Sequence, residues 1–402
     1  MSVLNGKRIL LGITAGIAAY KTASLVRLFI KAGAQVKVVL TPAAKDFVTP
    51  LTLSTLSKNE VISSFTKDEN ENAVWNNHVE LGLWAEFMVI APATANTLSK
   101  MASGISDNFL LATYLSAKCP VYFAPAMDLD MYHHPATKKS FETLQSFGNI
   151  MIPAESGELA SGLVGEGRMA EPENILKFME AHLFKKMPFR NKKILITAGP
   201  TYEAIDPVRF IGNHSSGKMG FELAIESVKL GAQVILISGP THLNVDLPEI
   251  ELIRVTSAGE MYNAVHRFYQ NVDIVIAAAA VSDYKPKVVA AQKMKKKDSA
   301  LSIELEPTQD ILASLGKLKK HQKLIGFALE TTDELENATG KLERKNLDFI
   351  VLNSLNDEGA GFKTDTNKIS IITKNEVKNF ELKSKTEVAR DILNEIINLP
   401  DE

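Results

Sequence analysis

Cysteine is almost missing from this chain of 402 residues, where Cys119 stands alone. A single thiol excludes an intrachain disulfide and a zinc site built from cysteines, and it fits a reducing compartment. Net charge is nearly missing too: 45 Lys and Arg against 47 Asp and Glu leave −2. A surface so balanced gives no general electrostatic reason to bind nucleic acid. Long apolar runs are also lacking. The apolar start, Ile9-Leu10-Leu11-Gly12-Ile13, is broken by Gly12 and Gly16 and interrupted by Lys21, whereas a bilayer span takes about 20 residues. It reads as a strand, a turn and a helix rather than a signal peptide. The expectation is a soluble, cytoplasmic protein with no nucleic-acid or membrane partner. Neither strand-to-helix turn has the Gly-x-Gly-x-x-Gly or Walker spacing, which argues against a two-domain nicotinamide oxidoreductase.

What is present is a βα opening used twice. Arg8–Ile13 reads as a buried strand, Ile17–Ala32 as a helix, and Gln35–Leu40 as the next strand. Lys193–Thr197, Gly217–Leu230 and Gln233–Ile237 repeat the plan, and even Gly33-Ala34-Gln35-Val36 recurs as Gly231-Ala232-Gln233-Val234. Glycine after a helix and β-branched residues in the following strand are what any such crossover needs, so duplication is not required. Further short apolar runs at Phe87–Ala91, Val121–Ala124, Asp273–Ala277, Leu324–Phe327 and Phe349–Leu352 suit strands covered on both faces. The fold class expected is α/β, with two doubly wound, mainly parallel-sheet domains over 1–190 and 191–402. The polar, basic stretch 185–192 forms the boundary. Ligands of such sheets bind beyond the strand carboxyl ends, so the informative residues should follow the strands.

In the second half, Phe210–Gly220 joins a strand region to a helix through Asn213-His214-Ser215-Ser216-Gly217. Free N–H groups at such a helix start suit phosphate, and the Asn213 amide can hold a carbonyl without adding charge. The run Lys293-Met294-Lys295-Lys296-Lys297 is either a solvated charge run or a source of cations for a polyanion. In the first half, Gly12-Ile13-Thr14-Ala15-Gly16 and Ala91-Pro92-Ala93-Thr94-Ala95-Asn96 each follow a strand. Their small side chains and hydroxyls can cradle a phosphate and a ring system. His78 opens a helix, where the dipole favours a neutral imidazole able to accept a proton, though a lone histidine also serves as a structural group. Asp128, in Pro125–Tyr132, can be a helix N-cap. The glycine-rich segment Ser156–Met169 reads as an irregular, mobile lid or clamp.

Taken in order, Gly12–Lys21, His78–Trp84, Ala91–Asn96, Pro125–Met131 and Gly157–Met169 resemble the flavin-dependent cysteine decarboxylases. The similarity is strongest to the decarboxylase half of the bifunctional phosphopantothenoylcysteine decarboxylase/phosphopantothenate–cysteine ligases of bacterial coenzyme A synthesis. Residues from about 191 to 396 resemble the ligase half of the same family, through Ala198–Thr201, Asp206–Arg209, Asn213–Gly220, Ala278–Tyr284, Lys293–Lys296 and Gly326–Thr331. The resemblance implies a flavodoxin-like first domain and a Rossmann-like second one. It implies FMN held by Gly12, Thr14, Gly16, Thr94, Asn96 and Met127, with His78 catalytic and the substrate at Asp128, Arg168 and Met169. For the ligase it implies activation of 4′-phosphopantothenate by CTP as an acyl-cytidylate, attack by the cysteine amine, and catalytic Asn213 at the acyl-cytidylate carbonyl. CTP contacts are implied at Asp283, Lys293, Gln309, Asp310, Ile311, Leu312, Phe327, Lys341 and Lys345, with Mg²⁺ at Asp283. It also implies a homo-oligomer, with a trimer-based flavin half that has FMN at subunit contacts and a dimeric ligase half.

The chain departs from the family pattern in three places. Asp128 stands where the family has Asn, a position expected to meet the substrate carboxylate, and an ionised Asp repels that group. Ser161 stands where the family has the clamp cysteine that donates the last proton, and a hydroxyl is a much weaker acid. The decarboxylase half is therefore either complete or halted before the final reduction. Thr308-Gln309-Asp310-Ile311 replaces the family's Asn-Pro-Asp-Ile, keeping the acidic residue.

Overall fold

The structure is a computed structural model that describes residues 2–69, 72–295, 301–330, 332–354 and 364–400. Lys296 and Lys297, expected near the triphosphate, lie outside the described residues. The chain forms two compact units, Met1–Lys185 and Lys186–Glu402.

The sheet of the first unit contains β1 (Arg8–Ile13), β2 (Gln35–Leu40), β3 (Val61–Ile62), β4 (Phe87–Ala93), β5 (Val121–Pro125) and β6 (Ile150–Met151). Their order is β3-β2-β1-β4-β5-β6, and every pairing is parallel. Alternate side chains serve opposite faces. Ile9, Leu11, Ile13, Val36 and Val38 pack on one side with Leu25, Val26 and Phe29 of the helix Thr22–Lys31. Leu10, Val39, Met88 and Ile90 pack on the other with Leu98, Met101, Phe109 and Leu110. Burial on both faces explains why these strands read as continuous apolar runs. The strand order reverses between β1 and β4, which puts the segments 14–16 and 94–96 at the switch point, where an open α/β sheet binds its ligand.

The second unit repeats this plan with β7 (Lys193–Ala198), β8 (Gln233–Ser238), β9 (Ile250–Arg254), β10 (Ile274–Ala277), β11 (Lys323–Glu330), β12 (Phe349–Ser354), β13 (Ile369–Ile372) and β14 (Val377–Asn379). The order is β9-β8-β7-β10-β11-β12-β13-β14; the first six strands pair in parallel and the last two antiparallel. The recurring Gly33 and Gly231 both take positive φ, 86° and 95°, ending their helices as only glycine does without strain.

Two local expectations change. The helix expected over Ile17–Ala32 is a 3₁₀ turn, Ile17–Lys21, followed by the helix Thr22–Lys31. The segment expected to lack regular structure forms an antiparallel hairpin, Glu155–Glu158 with Val164–Arg168, and a bulge between Glu166 and Arg168. A strand ladder is made by backbone groups, so Gly157 opposite Gly165 supports pairing without side chains.

Candidate functional sites

In the first unit the carboxyl edge carries two cavities that share Ala126 and Met127. One, of about 520 Å³, is lined by Ala15, Thr94, Asn96, Thr97, Lys100 and Met131 among others. The other, of about 530 Å³, is lined by Gly16, Tyr20, Lys21, Asp128, Ser161, Arg168 and Met169 among others. Of the expected cofactor residues, Gly16, Thr94, Asn96 and Met127 line these cavities. Gly12 and Thr14 do not; both lie beneath the cavity surface. Gly12 is buried on β1, where a Cβ would lie 2.5 Å from Leu110 and 2.8 Å from Ile90, so its smallness serves packing. Thr14 is also buried; its hydroxyl donates to the Pro92 carbonyl at 2.7 Å and accepts from the Thr94 N–H at 3.2 Å. It shapes the turn that presents Thr94 and Asn96 at the start of the helix Ala95–Ser103, a place where backbone N–H groups suit a phosphate.

The clamp hairpin closes over the second cavity. The Met127 N–H donates to the Gly167 carbonyl at 3.0 Å, tying the hairpin to the loop after β5. Asp128 caps the helix Leu129–His133 through the Leu129 N–H at 2.7 Å, and the Ser161 hydroxyl donates to the same Oδ1 at 2.9 Å. The two departures from the family pattern therefore touch each other. Sequence reasoning noticed Lys21 only as a break in an apolar run. Its side chain is 6% exposed, and its ammonium holds the Met169 carbonyl at 3.1 Å and Glu171 at 2.9 Å. Arg168 reaches the same Glu171 oxygen at 2.7 Å. Cys119 lines neither cavity, and burial pushes its thiol up.

His78 does not join these residues. It opens the helix His78–Trp84 and sits among Phe65, Trp75 and Phe109, with ring centroids 6.1, 6.4 and 6.4 Å away. Its Nδ1 is buried and has no hydrogen-bond partner among the described residues. An orphaned polar atom of this kind calls for an explanation. Beside it, Trp75, Val79 and Leu83 are exposed.

In the second unit, eight of the expected nucleotide residues line one cavity of about 330 Å³: Asp283, Gln309, Asp310, Ile311, Leu312, Phe327, Lys341 and Lys345. Asp310 caps the helix Ile311–Leu318 through the Ala313 N–H at 2.9 Å and pairs with Lys345 at 2.8 Å. Burial pushes its carboxyl up, but Lys345, the Ala313 N–H and Lys341 together outweigh that and hold it below its ordinary range. Lys341 is bound to Glu330 at 2.6 Å. Asn213 donates to the Ala280 carbonyl at 3.1 Å, next to Val281 of the cavity wall. Among the described residues no three His, Cys, Asp or Glu side chains converge as a metal cage.

Lys293 is exposed and outside this cavity. What anchors its segment is Asp206, a buried residue met above only as part of the Asp206–Arg209 motif. Asp206 accepts from the N–H groups of Val208, Arg209 and Met294 at 2.8, 2.9 and 3.1 Å and from the Arg209 guanidinium at 3.1 Å, while Arg209 also donates to the Met294 carbonyl. The helix start at Gly217 is less open than expected, because Ser215 and Ser216 hydroxyls accept from the Gly217 and Lys218 N–H groups at 3.3 and 3.4 Å.

Fold and cavities define a two-domain α/β protein whose halves each carry a polar ligand site at the carboxyl edge of a parallel sheet. Residues 2–184 match the Flavoprotein family, and residues 189–399 match the DNA/pantothenate metabolism flavoprotein C-terminal domain. The coenzyme A biosynthesis bifunctional protein CoaBC of Bacillus subtilis (strain 168) is 46% identical over 400 residues, covering 99% of this chain and 98% of that protein. A cysteine/cysteine sulfinic acid decarboxylase from an unknown prokaryotic organism is 52% identical over 358 residues, 88% of this chain and 99% of that one. The crystal structure of the C-terminal domain of a coenzyme A biosynthesis bifunctional protein CoaBC is 49% identical, with a TM-score of 0.46, covering 53% of this chain and 97% of that one. The chain belongs to the family of bifunctional coenzyme A biosynthesis proteins CoaBC.

Proposed function

We propose that this chain catalyses two consecutive steps of coenzyme A biosynthesis. The second unit joins cysteine to 4′-phosphopantothenate at the expense of CTP, and the first decarboxylates the resulting 4′-phosphopantothenoylcysteine to 4′-phosphopantetheine. The observation that carries the ligase reading is the convergence of Asp283, Gln309, Asp310, Phe327, Lys341 and Lys345 on one cavity. Phe327 offers a face for the cytosine, and Lys341 and Lys345 offer cations for phosphates. Asp283 is the residue that would hold a Mg²⁺ ion, which would supply positive charge against the phosphates. Lys293, on the segment held by Asp206, meets the triphosphate from outside the cavity. The Asn213 amide steadies the acyl-cytidylate carbonyl while the cysteine amine attacks.

In the first unit, Thr94 and Asn96 at a helix start, with Gly16 and Met127, are the residues that would hold FMN. Bound FMN supplies reversible two-electron oxidation of the substrate thiol, and the resulting C=S group accepts the electron pair left when CO₂ departs. The clamp keeps water from that group. His78 serves the site of a neighbouring copy. Its unpartnered Nδ1 and the exposed Trp75, Val79 and Leu83 around it support a flavin half assembled as a trimer, with a dimeric ligase half. Pyrophosphate release tests the ligase: it should require 4′-phosphopantothenate and CTP together, and equal release with ATP would overturn the base assignment.

A further inference from the structure

Residues 288–295 form neither helix nor strand, and Val288 and Val289 are exposed. Every hydrogen bond they make among the described residues goes to one loop, 205–209. The Ala290 N–H donates to the Ile205 carbonyl at 3.0 Å, the Met294 N–H donates to Asp206 Oδ2 at 3.1 Å, and the Arg209 guanidinium donates to the Met294 carbonyl. The Lys293 ammonium is exposed and has no partner among the described residues, so the backbone alone decides where it stands. The two oxygens of Asp206 have different partners. Oδ1 accepts from the Val208 and Arg209 N–H groups, which closes the loop on itself. The Ile205 N–H also closes it, donating to the Arg209 carbonyl at 2.8 Å. Oδ2 instead reaches the Met294 N–H, 88 residues further along the chain, and takes Arg209 Nε at 3.1 Å. The side chain is fully buried, where a charged acceptor bonds strongly and an unmatched donor is costly. Beyond Arg209 the chain runs through Phe210–Gly212, paired with Tyr202–Ala204, to Asn213.

We propose that Asp206 is a positioning residue of the ligase reaction. Through Oδ2 it fixes the segment of Lys293 to the hairpin that leads into Asn213, so the triphosphate and the acyl carbonyl are met by groups on one framework. This rests on the reading of the second unit as the CTP-dependent ligase. Asp206 itself touches no substrate; its effect passes through Lys293. A lysine on a loose segment loses conformational freedom when the triphosphate binds, whereas a tied segment has already lost it on folding.

Asp206→Asn tests this. The side chain keeps its shape and one oxygen for the loop N–H groups, but turns an NH₂ toward the Met294 N–H and Arg209 Nε, donor against donor. The kcat/KM for CTP, followed as pyrophosphate release with 4′-phosphopantothenate, should fall at least about tenfold. In a Lys293→Met background the same substitution should cost less than about twofold, because the group it positions is gone. Trypsin should cut after Lys293 and Lys295 at least about tenfold faster in Asp206→Asn, with cleavage in the first unit unchanged. Met294→Pro removes the same N–H from the exposed segment and leaves Asp206 intact, so it carries the test should Asp206→Asn not fold; its kcat/KM should fall to a similar degree. An unchanged kcat/KM in either variant, a loss of equal size in the Lys293→Met background, or unchanged tryptic cleavage overturns the proposal and leaves the ligase standing. No pyrophosphate release by the unaltered chain removes the ligase reading itself.

Discussion

Replacing Gly167 by alanine should open the clamp and silence one activity while sparing the other. Gly167 has φ 132°, and a Cβ there would lie 2.5 Å from the Met127 carbonyl oxygen. The dihedral alone costs an L-residue about 1–3 kcal/mol. The clash adds about 1–3 kcal/mol more, since the obstacle is backbone and cannot rotate aside. A total of roughly 2–6 kcal/mol bears on a two-stranded hairpin tied to the loop after β5 by the Met127–Gly167 hydrogen bond. Local detachment is less costly than unfolding the whole unit. Even the lower bound, about 2 kcal/mol, shifts the closed population by roughly 30-fold. The decarboxylation rate of Gly167→Ala should therefore fall at least about tenfold, with pyrophosphate release by the ligase unchanged as the internal control. Full-rate decarboxylation by this variant would show that the hairpin is not the cover of the site.

Gly220→Ala should lower the thermal transition of the ligase unit. The new Cβ would lie 2.5 Å from the Ala198 Cβ and 3.1 Å from its Cα; overpacking of about 1–3 kcal/mol corresponds to a drop of roughly 2–12 °C by calorimetry. Lys345→Met should raise the KM for CTP about 10- to 150-fold, the loss of a charge-assisted hydrogen bond, with decarboxylation unaffected; steady-state kinetics with varied CTP checks this. Glu226, bound to Arg390 at 2.8 Å and Lys229 at 2.5 Å, joins two helices. Burial pushes its carboxyl up, but the two cations outweigh that and hold it below its ordinary value. A depressed folded-state value contributes stability above the unfolded value, and this is lost as pH falls through the folded one. Arg390→Leu raises the folded value towards or above the unfolded one, so calorimetry should show the variant less stable than the unaltered chain at pH 7, with the gap narrowing as pH falls through the carboxylate range.

The strands were legible because burial on both faces writes itself as uninterrupted Ile, Leu and Val, as in Lys193–Ala198 and Phe87–Ala93. The clamp hairpin was not legible, since its pairing rests on backbone groups and its glycines suggest the opposite. In the ligase cavity the motif residues Asp310, Phe327 and Lys345 came from three separated segments, and parallel topology brings them to one edge. Gly12 on β1 and Thr14 in the turn after it lie beneath the cavity surface, a distinction that needs the neighbouring Leu110 and Pro92 in view. The anchoring roles of Lys21 and Asp206 were not legible for a related reason. A charged residue inside a motif looks like a ligand contact or a solvated group until its partners, Glu171 and Arg209, are seen beside it.

The most direct test of the account is mass spectrometry of the product formed by the purified chain from 4′-phosphopantothenate, cysteine and CTP. The account predicts saturated 4′-phosphopantetheine, with one CO₂, one CMP and one pyrophosphate for each molecule made. Absence of any cysteine amide of phosphopantothenate in that mixture would contradict it.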